Sequence, residues 1–330
     1  MNKWVLLITL ICTAQAVQAN DDCVKPTTQQ KFDYVECINK KGIARVGNIV
    51  QTALGDFPYP LGLVDASGKI ILPVDYHSID FPSQWNYDSY LDDLPDGLIL
   101  VVKRDLQNNA MFGNLGMQDK YGLVNSQGEL IVPLGIYDNI KMPYSNADNT
   151  LFTVVKNKKY GFIDTKGRVV IPLMYDYAQS FEEGLVSVSK EDKFGIIDRQ
   201  NQTIIPFEYE YIDLLNNLDR EDTNQSLLFR AKLKDDYALI DQNNQTITDF
   251  EYDTISAIYY TNLFIVGKRD KVGVIDNTGK LIVPINYRFI EDTLQSTDPY
   301  DFELPQAYIQ ATLEDKTYLF DKTGKLMMIK

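Results

Sequence analysis

The chain has 330 residues, 45% apolar and 12% aromatic, with 46 acidic against 32 basic side chains and a formal net charge of −14. An acidic surface of that size repels phosphate backbones and anionic lipid headgroups, which argues against nucleic acid and membrane surfaces as partners. The single histidine, His77, argues against His-based catalysis, and the sequence holds no P-loop, G-x-S-x-G or H-E-x-x-H pattern.

The first element in chain order is an address. Met1-Asn2-Lys3 carries one positive charge, Trp4 to Ile11 form a short apolar core, and Val17-Gln18-Ala19 supplies small residues before Asn20. This is the order of a secretory signal peptide over residues 1–19, too short to span a bilayer. Bulky Leu10-Ile11 ahead of Cys12 argue against lipid attachment there. The expectation is a periplasmic or secreted protein without a transmembrane segment. Cleavage would leave Cys23 and Cys37, which an oxidising compartment would pair as a disulfide. Closing so short a loop contributes roughly 3 kcal/mol by chain entropy.

From there to the end the chain repeats itself. Residues 159–178 read KYGFIDTKGRVVIPLMYDYA, residues 193–212 KFGIIDRQNQTIIPFEYEYI, and residues 271–290 KVGVIDNTGKLIVPINYRFI. Each copy carries an acid or its amide, two residues, then Gly or Asn. The pairs are Asp65/Gly68, Asn125/Gly128, Asp164/Gly167, Asp198/Asn201, Asp241/Asn244, Asp276/Gly279 and Asp321/Gly324. Asn is the best substitute for Gly where φ must be positive, so the alternation predicts a hairpin turn ending in a left-handed residue. The Asp is expected to accept from the turn's own amides. A calcium loop needs several alternating oxygens, D-x-[DN]-x-[DN]-G, and no copy has them, so no metal is predicted.

Upstream of each turn lie two predicted strands. One ends in Lys, as in Leu98–Lys103, Leu151–Lys156, Leu185–Lys190, Leu227–Lys232 and Leu263–Lys268; the next contains Gly161-Phe162-Ile163 or its equivalent. Downstream, an apolar stretch such as Val169-Val170-Ile171 reads as a buried strand that stops at proline: Pro73, Pro133, Pro172, Pro206 or Pro284. A Tyr follows three residues later, at Tyr76, Tyr175, Tyr209, Tyr252 and Tyr287, and then a short fourth segment. Asp249 replaces the proline in the fifth copy.

The order aromatic-Gly-apolar-apolar-Asp-x-x-Gly-x-apolar-apolar-apolar-Pro-x-x-Tyr-Asp, repeated over residues 59–328, resembles the WG-repeat (KWG-repeat) family. The resemblance implies a bacterial repeat protein and no particular reaction. At the name-giving position this chain has Tyr121, Tyr160, Phe194, Tyr237 and Val272 in place of Trp, and Ala238 replaces one Gly. These read as packing substitutions.

Turn-to-turn spacings of 60, 39, 34, 43, 35 and 45 residues match blades of four short antiparallel strands. The predicted fold is all-β, a single domain over residues 20–330 of about seven repeats. Its expected form is a seven-bladed β-propeller-like ring; the alternative is an open β-solenoid. The last copy ends without its Tyr segment, and Phe32-Asp-Tyr-Val-Glu-Cys37 resembles one. The N-terminal strand is therefore expected to complete the last unit and close the ring.

Function in a repeat scaffold is expected in the irregular insertions. Residues 80–96 carry Phe81, Trp85, Tyr87 and Tyr90 among acids, and residues 291–305 carry Tyr300 and Phe302. These six are the candidate partner-binding residues. The expected function is a binding module that presents loops to a protein or cell-envelope component, with no cofactor. The alternatives are a propeller hydrolase acting on a glycan or lactone, and a structural envelope-associated protein.

Overall fold

Seven antiparallel sheets form among the described residues of the computed structural model, which are 23–39, 42–52, 55–80, 97–104, 119–143, 150–215, 226–258, 261–291 and 308–330. Those residues contain no α-helix. They group into two compact units, residues 1–77 and 78–330.

The first unit holds one sheet, with strands Tyr34–Val35, Ile43–Thr52, Gly55–Asp65 and Ile70–Tyr76 side by side in chain order. The second unit holds six. The third sheet of the chain is representative: Asn139–Lys141, Phe152–Lys156, Lys159–Ile163 and Val169–Tyr175. The fourth has Tyr177–Ala178, Leu185–Lys190, Lys193–Asp198 and Thr203–Tyr209, and the seventh has Phe289–Ile290, Tyr308–Leu313, Lys316–Asp321 and Leu326–Ile329.

The sheets are offset from the sequence repeat by one strand. The short segment after each Tyr does not complete its own copy; it becomes the first strand of the next sheet, as Tyr177 pairs with Ser189 and Ala178 with Val188. The N-terminal segment obeys the same phase. Tyr34 and Val35 pair with Gly47 and Val46 in the first sheet, and the seventh sheet has four strands without it. The expectation that this strand completes the last unit is corrected accordingly.

All seven predicted turns have the expected geometry. The closing residue is left-handed, with φ from 62° at Asn244 to 83° at Gly324. The side-chain oxygen of the leading residue accepts two amide hydrogens: Asp164 Oδ1 from Lys166 and Arg168, Asn125 Oδ1 from Gln127 and Glu129.

Proline does not end the strand in most copies. Ile70–Tyr76, Val169–Tyr175, Thr203–Tyr209 and Leu281–Tyr287 all run through it. The register explains why. Tyr160 faces Tyr175 and Phe162 faces Ile171, so Gly161 alone stands opposite Pro172, Leu173 and Met174. Proline sits in this bulge, where no ladder amide is required. The strand is also less buried than its composition suggests: Val169 and Val170 are exposed while Ile171 is buried, as befits an edge strand.

The bulge gives the repeat's glycine its physical reason. A Cβ at Gly161 would lie 2.7 Å from the Ile171 carbonyl oxygen and 2.8 Å from the Leu173 nitrogen. Where the glycine is replaced, the geometry fails. Beside Ala238 the outer strand is reduced to isolated bridges, Tyr237 to Tyr252 and Ile240 to Thr246, leaving a three-stranded sheet. The Leu239 amide there donates to the Thr248 hydroxyl instead. In the seventh sheet Tyr318 takes the glycine's place, and the second register shift is absent: Tyr318 faces Ile329 and Leu319 faces Met328. Ala238 is thus a backbone substitution rather than a packing one.

One hairpin cannot bury its own faces, and in the second unit successive sheets bury them for each other. One cluster joins Leu123 and Val132 of the second sheet (Ser78–Asp80, Ile99–Arg104, Asp119–Val124 and Leu130–Val132) to Phe152 and Val154 of the third; another joins Phe162 and Ile171 of the third to Val186 and Val188 of the fourth. Burying a Phe or Ile side chain stabilises by roughly 1.5–3 kcal/mol. Polar bonds fix the alignment of the seams. Thr153 Oγ1 donates to the Gln179 carbonyl at 2.9 Å, Ser187 Oγ to that of Ile212, and Arg230 Nη1 to that of Ile255 at 2.9 Å.

Candidate functional site

In the third to sixth sheets of the chain the hairpin between the second and third strands turns through two left-handed residues that are not glycine: Asn157-Lys158, Glu191-Asp192, Lys234-Asp235 and Arg269-Asp270. The acid after the repeat's Tyr makes this possible. Asp138 Oδ2 accepts from the Asn157 amide at 2.7 Å, Asp176 from Glu191 at 3.0 Å, Glu210 from Lys234 at 3.0 Å and Asp253 from Arg269 at 2.6 Å. The Tyr-Asp of the motif therefore fixes the loop end of the following sheet.

Next to these hairpins the rings at the former Trp position meet the ring two residues after the motif Tyr. Tyr177, Ser189 and Phe194 form one row across the fourth sheet. Ser189 is small and buried, so the two flanking rings approach to 5.9 Å between centroids. Across the seams Tyr160 meets Tyr177 at 5.6 Å and Phe194 meets Tyr211 at 5.6 Å. The result is a continuous ladder, Tyr160, Tyr177, Phe194, Tyr211, running over three sheets. Tyr177 is 37% exposed, and the other three rings are half-buried.

Cations close the ladder at both ends. Lys141 Nζ lies 4.9 Å from the Tyr160 centroid and 5.2 Å from that of Tyr177, and donates to the Ala178 carbonyl at 3.3 Å. Burial lowers its pKa below the usual lysine range. Arg230 lies 5.7 Å from the Tyr211 centroid and holds Asp213 in a two-bond fork of 2.7 and 2.9 Å. Ring faces carry negative potential, so such a surface takes ammonium and guanidinium groups and polarised C–H edges.

Ser187, which lines a small cleft with Gln179, Glu182 and Leu214, donates its proton to the Ile212 carbonyl. Among the described residues no group of three His, Cys, Asp or Glu is placed to hold a metal ion.

The six candidates Phe81, Trp85, Tyr87, Tyr90, Tyr300 and Phe302 lie outside the described residues. Cys23 and Cys37 form the expected disulfide. At the turn positions, Asp65, Asp164 and Asp276 accept from amides of their own turns, and Gly68, Gly167 and Gly279 hold a positive φ. Sequence reasoning missed the ladder. Its signal was the pair of Tyr-acid-Tyr triplets at 175–177 and 209–211, each following an aromatic-Gly dipeptide by about fifteen residues.

The model of the WG containing repeat matches five times, at residues 121–160, 160–194, 194–217, 237–271 and 273–293. No curated protein sequence matches the chain. Solved structures similar to it include KlHsv2 with loop 6CD replaced by a Gly-Ser linker, at 8% identity over 93% of this chain and 97% of that one, with a TM-score of 0.37. Sqt1 from Chaetomium thermophilum is 10% identical over 87% and 80%, with a TM-score of 0.35. AztD from Citrobacter koseri in its apo form is 12% identical over 82% and 79%, with a TM-score of 0.34.

Proposed function

The chain is a WG-repeat protein, and on that premise we propose that it works as a binding module, a β scaffold that presents side chains and loops to a protein or cell-envelope partner. The observation that carries this reading is the ladder Tyr160, Tyr177, Phe194, Tyr211, held at ring spacings of 5.6 to 5.9 Å. The ladder already takes an ammonium at one end and a guanidinium at the other. With a net charge of −14, it favours a partner surface bearing Lys or Arg. The insertion rings Phe81, Trp85, Tyr87, Tyr90, Tyr300 and Phe302 are further partner-binding candidates. The working compartment in this reading is the periplasm or the medium, supported by the signal-like residues 1–19 and by the Cys23–Cys37 disulfide.

Affinity capture from an envelope extract of the source organism tests the proposal, using native chain, Phe194→Ala and Trp85→Ala/Tyr87→Ala with matched thermal stability. A partner held by the native chain and lost with Phe194→Ala assigns recognition to the ladder. Loss only with Trp85→Ala/Tyr87→Ala assigns it to the insertion. Equal retention by all three, or by none, overturns the reading.

A further inference from the structure

The turn of one sheet sits on the outer strand of the sheet before it. A Cβ at Gly167 would lie 3.0 Å from the Ile131 carbonyl oxygen, at Gly279 3.0 Å from that of Ile247, and at Gly324 2.1 Å from that of Ile282. Ile131 and Ile282 are the bulged residues of their strands. The seat is thus a recurring one, with the left-handed turn glycine as floor and an extended apolar strand as occupant.

The first sheet has the same seat at Gly68, and a different segment fills it. A Cβ at Gly68 would lie 2.0 Å from the Thr27 carbonyl oxygen. The Thr27 amide donates to the Ala66 carbonyl at 3.2 Å, and the Ile38 amide to that of Val24 at 2.8 Å. The Cys23–Cys37 disulfide ties the segment down. Residues 23–28 therefore stand where an outer strand stands elsewhere.

The seventh sheet has the complementary feature. Its outer strand, Leu326–Ile329, exposes all four apolar side chains at 45–52%. Met327 is the bulged residue, equivalent to Ile131 and Ile282, because Leu319 faces Met328 and Phe320 faces Leu326. Met328 is 52% exposed, whereas its equivalents Ile171 and Val283 are fully buried.

We propose that the Gly68 seat is an interface for a second copy of this chain, whose Leu326–Ile329 strand enters it when reduction of Cys23–Cys37 releases residues 23–28. A tethered segment acts at high effective concentration, so a second copy competes only after the tether is cut. A dithiol supplies the two electrons and two protons: the S–S bond breaks, each cysteine becomes a thiol, and the dithiol leaves as a cyclic disulfide. One seat and one strand per chain make the contact head-to-tail, so it can extend beyond a dimer.

The test is mass by light scattering across a concentration series, on the full chain expressed with its own N-terminus and purified oxidised, then treated with dithiothreitol. The expected result is a monomer when oxidised and a concentration-dependent doubling or higher multiple of mass when reduced. Met327→Asp/Met328→Asp, on exposed positions, is expected to hold the reduced chain at monomer mass with unchanged circular dichroism. A reduced chain that stays monomeric overturns the proposal. So does association that survives the double substitution, or loss of β-sheet signal on reduction.

Discussion

The Tyr175 hydroxyl donates to Asn201 Oδ1 at 2.6 Å, linking the outer strand of the third sheet to the turn of the fourth. Tyr209 repeats the contact with Asn244 at 2.7 Å. The two copies whose turn closes with Asn instead of Gly thus have a second reason for it: the amide tolerates positive φ and also accepts from the preceding copy's Tyr. Tyr175→Phe is expected to cost about 1 kcal/mol, typical of one hydrogen bond, and Asn201→Gly less than that, because relief of the left-handed φ of 63° offsets loss of the same bond. The double variant should cost little more than either single, because both remove the same bond. Urea titrations of the four proteins measure this coupling.

Gly161→Ala is expected to destabilise by about 2 kcal/mol or more, since its Cβ would collide with the strand at the Pro172 bulge. The expected structural signature is the disrupted outer strand seen beside Ala238, read as faster amide exchange at Ile171 and Tyr175. Unchanged exchange there would refute the account of the repeat's glycine.

Lys158→Gly is expected to stabilise by up to about 1 kcal/mol, because Lys158 holds φ at 61° and a left-handed non-glycine residue is strained by that order. The substitution creates Asn157-Gly, the favoured pair for this hairpin turn. A rise in the urea midpoint with an unchanged slope is the expected reading.

The turn carboxylates make stability depend on acid. The Ser67 hydroxyl holds the Asp65 carboxyl below its usual range, and the Thr323 hydroxyl does the same for Asp321. At Asp276 burial opposes the shift, and the hydroxyl and amide of Thr278 outweigh it. With folded pKa values below the unfolded ones, this stability is fully present above the ordinary carboxylate pKa of about 4 and is lost as pH falls through the folded values. Melting temperature is therefore expected to hold near neutrality and to decline in acid. Asp321→Asn should flatten the decline with little change at neutral pH, because Asn125 already fills this role in the second copy.

The site and the fold were legible to different depths. The Asp/Asn–Gly/Asn alternation predicted all seven turns, because a positive φ leaves its mark directly on residue choice. Strand phase was not legible: the segment after Tyr175 reads as the tail of its own copy, and only pairing with Leu185–Lys190 assigns it to the next sheet. Nor was the fate of proline, which depends on a bulge facing Gly161 across the sheet. The ladder escaped notice because its rings are 17 residues apart at each step, Tyr160, Tyr177, Phe194, Tyr211. A step of that length becomes a contact only after a hairpin and a seam bring the rings together.

What the sequence determined by itself was local: the all-β class, the repeat, the turns and the cysteine pair, each encoded by backbone preference or chemistry within one copy. What the tertiary structure decided was relational. The carboxylate of Asp176 serves a hairpin in the following sheet, Thr27 fills the seat over Gly68, and Ser189 lets two rings meet above it. Those facts depend on which strands become neighbours, and burial of apolar faces between successive sheets, not residue order, selects the neighbours.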